Sequence, residues 1–334
     1  MLGLHNKLQN TIEMGKPSLN EILKIQFPVI MAPMFLVSNL AMIREGVKAG
    51  IMATFPTLNY RKDGELEHIL DEISKVEGDG NYGVNLIVQL SNPLYKKHLE
   101  ICIAKKVPFY ITSLGNPKEV IEKAHAYGAK VFCDVTNIEH AKKVKDLGAD
   151  GFIAVGAGAG GHAGPIALHV LIENLVEIFP DMPVVAAGGI STGKALKSMM
   201  VLGAVGASIG TRFIATTEAE VSDEYKNAIC DYGMNDIVLT EKISGTASSV
   251  INTPYAQKIG TTQSFWEKLL TKNRTIRKYF KMLIQIRGMK KLENAIKPGS
   301  YKTLWIAGQS VGMIKNILSI KQIVENLKSE FEKS

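Results

Sequence analysis

Val184-Val-Ala-Ala-Gly188-Gly-Ile-Ser-Thr-Gly193-Lys-Ala-Leu-Lys-Ser-Met-Met-Val-Leu202-Gly203-Ala204-Val-Gly-Ala-Ser208-Ile-Gly210-Thr211-Arg212 holds one full turn of a repeating plan. An apolar β-type run, Val184–Ala187, meets a glycine-rich turn. A helix-period stretch starts near Lys194, ends at Gly203, and feeds a second β-type run, Ala207–Gly210. Strands joined through a helix run parallel, because a crossover of this length returns the chain in the same direction.

The plan extends outward through most of the chain. Further β-type runs are Val29–Ala32, Ile51–Phe55, Tyr82–Leu86, Phe109–Thr112, Lys130–Val135 and Gly151–Val155. Amphipathic stretches fall between them at Asn39–Ala49, Leu66–Val76, Lys118–Tyr127, Glu139–Leu147 and Leu168–Ile178. Glycine ends a helix just before a strand at Gly50, Gly128, Gly148 and Gly203, where it supplies a left-handed cap at little cost. Ser38 or Asn39, Asn116-Pro117 and Asn137 are candidate caps at helix starts. Eight strand–helix units predict an α/β fold, a closed (β/α)8 TIM barrel. An open doubly wound sheet is the alternative if one strand assignment fails. The alternation stops near residue 235. The expected organisation is therefore a barrel over 1–235, with 236–334 a C-terminal helical extension packed on it.

The 334 residues are 46% apolar and 21% charged, with 30 glycines, which excludes a disordered chain, a collagen-like repeat and a disulfide scaffold. Cys102, Cys133 and Cys230 are widely spaced and show no metal pattern. Neither a signal-like N-terminus nor an apolar run of membrane-spanning length is seen, so a soluble cytoplasmic protein is expected. The net charge of +7 is concentrated in Lys268–Lys302, where eleven Lys or Arg face one acid, Glu293. Apolar residues at Tyr279, Phe280, Leu283, Ile284 and Ile286 suggest a helix with a solvated basic face rather than a nucleic-acid surface.

Chemistry concentrates in two glycine clusters that follow strands six and seven, Gly156–Gly164 and Gly188–Gly193. That is the face on which barrel enzymes act. Gly156, Gly158 and Gly161 formally match G-x-G-x-x-G. However, His162-Ala-Gly-Pro165 separates the last glycine from any helix, so the dinucleotide reading fails. Gly188–Lys194 nearly matches a P-loop but lacks its hydroxyl residue, since Ala195 follows. Ser191 or Thr192 instead caps the next helix, and the backbone N–H groups of that helix start suit a single phosphate. Ser208-Ile209-Gly210-Thr211 adds hydroxyls and a glycine at the end of strand eight. The pair of loops predicts a phosphate-anchored cofactor across the barrel mouth. His162, on a glycine loop at that mouth, is the candidate catalytic residue. Neither a zinc-like ligand set nor a G-x-S-x-G elbow is present, so no metal is expected.

Pro28-Val-Ile-Met-Ala-Pro-Met34, Gly83-Val-Asn85, Ala159-Gly-Gly-His162-Ala-Gly164, Ala186-Ala-Gly-Gly-Ile190 and Ile209-Gly-Thr-Arg-Phe213 occur in this order. Together they resemble the nitronate monooxygenases, formerly 2-nitropropane dioxygenases, FMN-dependent barrel flavoproteins. Ser244-Gly245 and Leu304-Trp-Ile-Ala-Gly-Gln309 resemble that family's tail, and the likeness covers roughly residues 25–320. The resemblance implies FMN as cofactor. Pro33 and Met34 would border its ring, with Asn85 hydrogen-bonding nearby. Gly160 and Gly189 would allow close approach of the cofactor, and Ser208, Ile209, Gly210 and Thr211 would hold the phosphate with Gly189. His162 matches the histidine to which the family assigns catalysis.

The implied reaction oxidises a small alkyl nitronate with O2 to a carbonyl compound and nitrite. The implied partners are small molecules, with neither nucleic acid nor membrane, and a homodimer is left open. Two positions depart from the family's usual Q-G-x-E-A-G-G-H: Val155 stands for the glutamine and Gly158 for the acid. The alternatives are an FMN-dependent NAD(P)H enoyl-acyl-carrier-protein reductase, which shares the G-G-H-x-G and G-T-R-F segments, and an NAD(P)H:quinone reductase. A non-catalytic flavin- or phosphate-binding barrel is the non-enzyme alternative.

Overall fold

The computed structural model describes residues 17–89, 92–241, 247–261 and 304–334. Ser244-Gly245, the N-terminal Met1–Asn10 stretch and the basic Lys268–Lys302 segment lie outside the described residues.

Eight parallel strands form a closed barrel in sequence order. They are β1 Val29–Met31, β2 Met52–Pro56, β3 Asn81–Ile87, β4 Phe109–Ser113, β5 Lys130–Val135, β6 Gly151–Val155, β7 Val184–Ala187 and β8 Gly206–Ile209. Closure rests on β8 pairing with β1, with Val29 opposite Ala207 and Met31 opposite Ile209. That pairing excludes the open sheet. The strand ends differ from the sequence expectation by about one residue, because the barrel ladder, not the local apolar run, decides where pairing stops.

The helices are α1 Leu19–Leu23, α2 Leu40–Lys48, α3 Glu65–Ile73, α4 Tyr95–Ala104, α5 Lys118–His125, α6 Ile138–Asp146, α7 Leu168–Ile178, α8 Gly193–Val201 and the short α9 Thr211–Ile214. Helix α4 escaped the sequence reading because its buried stripe is His98, Leu99 and Cys102, with a histidine where an aliphatic residue is expected. Asn39, Asn137 and Thr192 accept from Met42, His140 and Ala195 backbone N–H groups, as N-caps do. Gly50, Gly128, Gly148 and Gly203 all have φ between 82° and 96°. No described helix is long and apolar enough to cross a membrane.

The period-2 alternation of each strand builds two apolar layers. Ile30, Met52, Phe109, Ile111, Phe132, Ile153 and Val185 fill the barrel interior, where the Phe109 and Phe132 rings meet edge to face at 5.4 Å. Val29, Ala53, Val84, Tyr110, Val131, Phe152 and Ala154 point outward to the helices. The barrel is therefore a packed plug below and open only at the carboxyl ends of its strands.

Beyond β8 lie α10 Asp223–Asp231, an antiparallel pair formed by β9 Ile237–Thr240 and β10 Ser248–Ile251, and α11 Pro254–Ile259. The last helix, α12 Ile320–Lys333, opens on a Ser319/Gln322 capping box. Its buried face of Ile320, Ile323, Val324 and Leu327 packs against α8 and α2. Since α9 is only four residues long, α12 occupies the place of the eighth barrel helix, between the helices that follow β7 and β1. Arg212 ties this return to the barrel: its guanidinium donates twice to the Asn316 carbonyl, at 3.0 Å each.

Thr192→Ala removes the α8 cap and is expected to cost about 1 kcal/mol. Denaturant unfolding should show a lower midpoint at unchanged slope. A midpoint equal to the wild type's would show that Thr192 is not the cap.

Candidate active site at the barrel mouth

A cavity of about 530 Å³ opens at the carboxyl ends of the strands. Pro33, Met34, Asn85, Gly160, His162 and Gly189 line it, as do Ser208, Gly210 and Thr211. Nine of the ten residues singled out from sequence thus converge on one site. Ile209 does not line it. It follows the inward Ser208 on an alternating strand, so its side chain is buried among the barrel helices and only its backbone is left to face a ligand.

The loop after β1 is held by a residue the sequence did not flag. Asn59 Oδ1 accepts from Leu36 N–H at 2.8 Å, while Nδ2 donates to the Met34 and Ser38 carbonyls at 3.2 and 2.8 Å. Ser38 Oγ accepts from Met34 N–H at 3.0 Å. This clamp fixes Pro33 and Met34 and keeps Leu36 at φ 60°, a left-handed value that a leucine holds only under constraint.

The glycines serve different purposes. Gly189 has φ 74°, and a Cβ there would meet nothing within 4 Å, so it borders open cavity and permits close approach of a bound group. Gly160 is glycine for another reason. A Cβ at 160 would fall 2.9 Å from the Gly308 nitrogen and 3.0 Å from the Ala307 carbonyl carbon, so the tail segment needs the space. The start of α8, expected to offer its N–H groups to a phosphate, has one of them engaged within the protein. Glu330 Oε2 on α12 accepts from Gly193 N–H at 2.7 Å. Gly188, Gly189, Ser208, Gly210 and Thr211 border the cavity beside it.

His162 is placed by tertiary pairing. Gly161 and Ser249 exchange two backbone hydrogen bonds, of 3.2 and 2.7 Å, which tie the histidine loop to β10. Val250 pairs in turn with Ile306, and Tyr225 Oη donates to the Ile306 carbonyl while its ring stacks on Trp305. Gly308 N–H donates to Thr211 Oγ1 at 3.0 Å. The tail thereby walls the mouth with Leu304, Ile306 and Ser310. The His162 ring is open to the cavity, but the surrounding protein strips enough water to hold its pKa below the usual histidine value. Desolvation thus favours the uncharged imidazole.

A hydrogen-bonded chain also lines the cavity. Asn85 Nδ2 donates to the Ile111 carbonyl at 3.2 Å and to Ser113 Oγ at 2.8 Å, and Ser113 Oγ donates to Asp134 Oδ2. Burial pushes the Asp134 carboxyl up to about 6, partly offset by the Ser113 bond. Sequence reasoning passed over Ser113 and Asp134. The available signal was an acid inside the apolar run Lys130–Val135, one residue from the carboxyl end of a barrel strand. On the rim, α6 contributes His140 and Lys143, and Lys143 makes no ion pair with the described residues. The charge layout is thus acid within and cation outside. Among the described residues no group of three or more His, Cys, Asp or Glu could hold a metal ion.

A nitronate monooxygenase family model matches residues 50–330. A carboxyl-CoA dehydrogenase of Rhodococcus jostii, acting on a hydroxy-methyl-oxo-octahydro-indene carboxyl-CoA, is 32% identical over 241 residues. That alignment covers 71% of this chain and 66% of the dehydrogenase, just under two thirds of its length. A probable nitronate monooxygenase of Staphylococcus aureus is 25% identical, covering 73% of this chain and 81% of that protein. Among solved structures, FabK from Thermotoga maritima superposes with a TM-score of 0.81 at 28% identity, over 95% of this chain and 96% of that one.

Proposed function

This chain belongs to the nitronate monooxygenase family of flavin-dependent oxidoreductases, and we propose that it uses FMN to oxidise or reduce an acyl thioester. The observation that carries this reading is the charge layout of the cavity. A thioester is neutral at its reacting end and carries phosphates on its carrier. That order suits an acid inside, Asp134, and a free cation at the rim, Lys143. A nitronate is an anion at its reacting end and would sit in the same cavity as a carboxylate that is mostly ionised at pH 7. The Rhodococcus relative, named for a carboxyl-CoA, belongs to the favoured substrate class.

The residues present fit FMN. Gly189 offers a cradle that a Cβ would fill, and Ser208, Gly210 and Thr211 offer hydroxyls and backbone N–H groups to a phosphate. Pro33 and Met34, clamped by Asn59, would border the ring, with Asn85 beside them. The flavin supplies the two-electron chemistry. His162, neutral and held by the Gly161–Ser249 pairing, donates a hydrogen bond to the thioester oxygen as negative charge develops there. The tail wall of Leu304, Ile306 and Ser310 keeps water from the reacting carbon.

Nitronate oxidation with O2 is the second reading, favoured by the family model and the Staphylococcus relative. Anaerobic mixing separates the two. Bleaching of the yellow protein by hexanoyl-CoA, or NADPH bleaching reversed by an enoyl-CoA, is the expected result. Bleaching by propyl-2-nitronate alone would replace the thioester reading with the nitronate one. A protein that purifies colourless and takes up no FMN would leave the non-catalytic barrel. Lys143→Ala should raise KM for the acyl-CoA about three- to tenfold with kcat little changed, and added salt should shrink the difference. An unchanged KM at low salt would remove Lys143 from substrate binding.

A further inference from the structure

Asp134 is a carboxyl group deep in the cavity wall, and its surroundings are unusual for an acid. One oxygen, Oδ2, accepts from Ser113 Oγ. The other, Oδ1, has no hydrogen-bond partner among the described residues, and no cation there forms an ion pair with the group. A buried charge normally persists only with a compensating partner. Here the supporting chain is directional. Asn85 Nδ2 reaches both the Ile111 carbonyl, which only accepts, and Ser113 Oγ, so the amide orientation is fixed. With that lone pair occupied, the single hydroxyl proton of Ser113 is turned toward Asp134. The chain spans β3, β4 and β5, which hold it at the rigid strand ends rather than on a mobile loop.

We propose that Asp134, aimed by Ser113 and Asn85, is the group that exchanges a proton with the carbon next to the thioester carbonyl. The proposal rests on the thioester reading above. In the oxidising direction the α C–H bond breaks and its proton passes to Asp134 Oδ1. The electron pair forms the Cα=Cβ double bond, and the hydride from Cβ would be taken up by the oxidised flavin that the site would hold. In the reducing direction the same atoms return in reverse order. His162 and Asp134 then divide the work: one stabilises the oxygen, the other moves the proton.

Cys133, His140, Lys143, His162 and Tyr225 are the other ionisable groups lining this cavity. Burial and the Ser113 bond, not a neighbouring cation, set the Asp134 carboxyl. Because folding raises the Asp134 pKa from 3.8 to about 6, its contribution to stability is present below pH 4 and is lost as pH rises through 6. Asp134→Asn should therefore melt above the wild type at pH 8, with the gap closing by pH 4.

The test uses the FMN-loaded protein, anaerobic, with hexanoyl-CoA in D2O. Deuterium entry at the α-carbon is followed by NMR and flavin bleaching by absorbance. Asp134→Asn should keep its flavin spectrum and lose at least a hundredfold in whichever signal the wild type gives. Ser113→Ala should lose about tenfold and move the acid limb of the rate to higher pH, since the bond it removes stabilises the carboxylate. Retention of the wild-type signal by Asp134→Asn within threefold overturns the proposal and leaves the thioester reading standing. A wild type that shows neither exchange nor bleaching overturns the reading, and the proposal with it. An Asp134→Asn protein no more stable than wild type at pH 8 also overturns it, because the carboxylate is then not the uncompensated group described here.

Discussion

His162→Ala is expected to lower turnover by about 10²–10³-fold while the protein stays yellow. The ring follows Gly161, whose two hydrogen bonds to Ser249 set its position, and desolvation keeps it neutral where an exposed histidine would be partly charged. In the proposed role a neutral imidazole N–H would meet a developing oxyanion and act mainly in the transition state. The loss should therefore fall on kcat and kcat/KM alike, with KM nearly unchanged. His162→Gln keeps a donor of similar reach and should recover part of the rate. The wild-type rate should hold down to a lower pH than an ordinary histidine would permit, because the group resists protonation. A His162→Ala enzyme with normal turnover and bound flavin would end the catalytic assignment.

Gly193→Ala is expected to be strongly destabilising. A Cβ at 193 would lie 2.1 Å from the Leu327 carbonyl oxygen and 2.5 Å from the Phe331 nitrogen. Both are backbone atoms of α12, so a rotamer change cannot relieve the clash. Either α12 moves or α8 does. Moving α12 loosens Ile320, Ile323, Val324 and Leu327, each worth roughly 1.5–3 kcal/mol when fully buried. It also parts Glu330 from Gly193 N–H and separates the edge-to-face Phe27–Phe331 pair. A cost of about 3 kcal/mol follows, or a fall in Tm of roughly 6–12 °C. Thr192→Ala on the same helix serves as the mild comparison. A Gly193→Ala protein within 1 °C of wild type would mean that α12 does not pack on α8 as described.

These two positions show different degrees of legibility in the sequence. His162 could be read directly, because a histidine between small residues at the end of a β-type run has nothing local to bury it. Gly193 could also be read, but as the wrong kind of glycine. It looks like part of a phosphate loop, and only the fold shows that its missing side chain makes room for a helix some 130 residues later. Gly160 repeats the lesson with Ala307 and Gly308. Ile209 is different, since strand alternation next to Ser208 already implied that its side chain turns away from the mouth.

The barrel itself was local information. Strand and helix periods, glycines at four helix ends and asparagine or threonine caps each act within a few residues, so they are written in the order in which they are read. The same holds for the active face, because each strand's carboxyl end is followed by its own loop. The chain Asn85–Ser113–Asp134, by contrast, joins three strands, and the Gly161–Ser249 bridge joins two segments nearly 90 residues apart. The seat of α12 in the ring depends on α9 ending after four residues. Patterns of hydrophobicity and backbone preference decay within a turn or two of chain. By itself, then, the sequence determined the barrel and which face carries chemistry. The partner of each glycine, the bonds that hold Asp134 in the cavity wall and the helix that completes the ring were decided by contacts that exist only once the strands have closed.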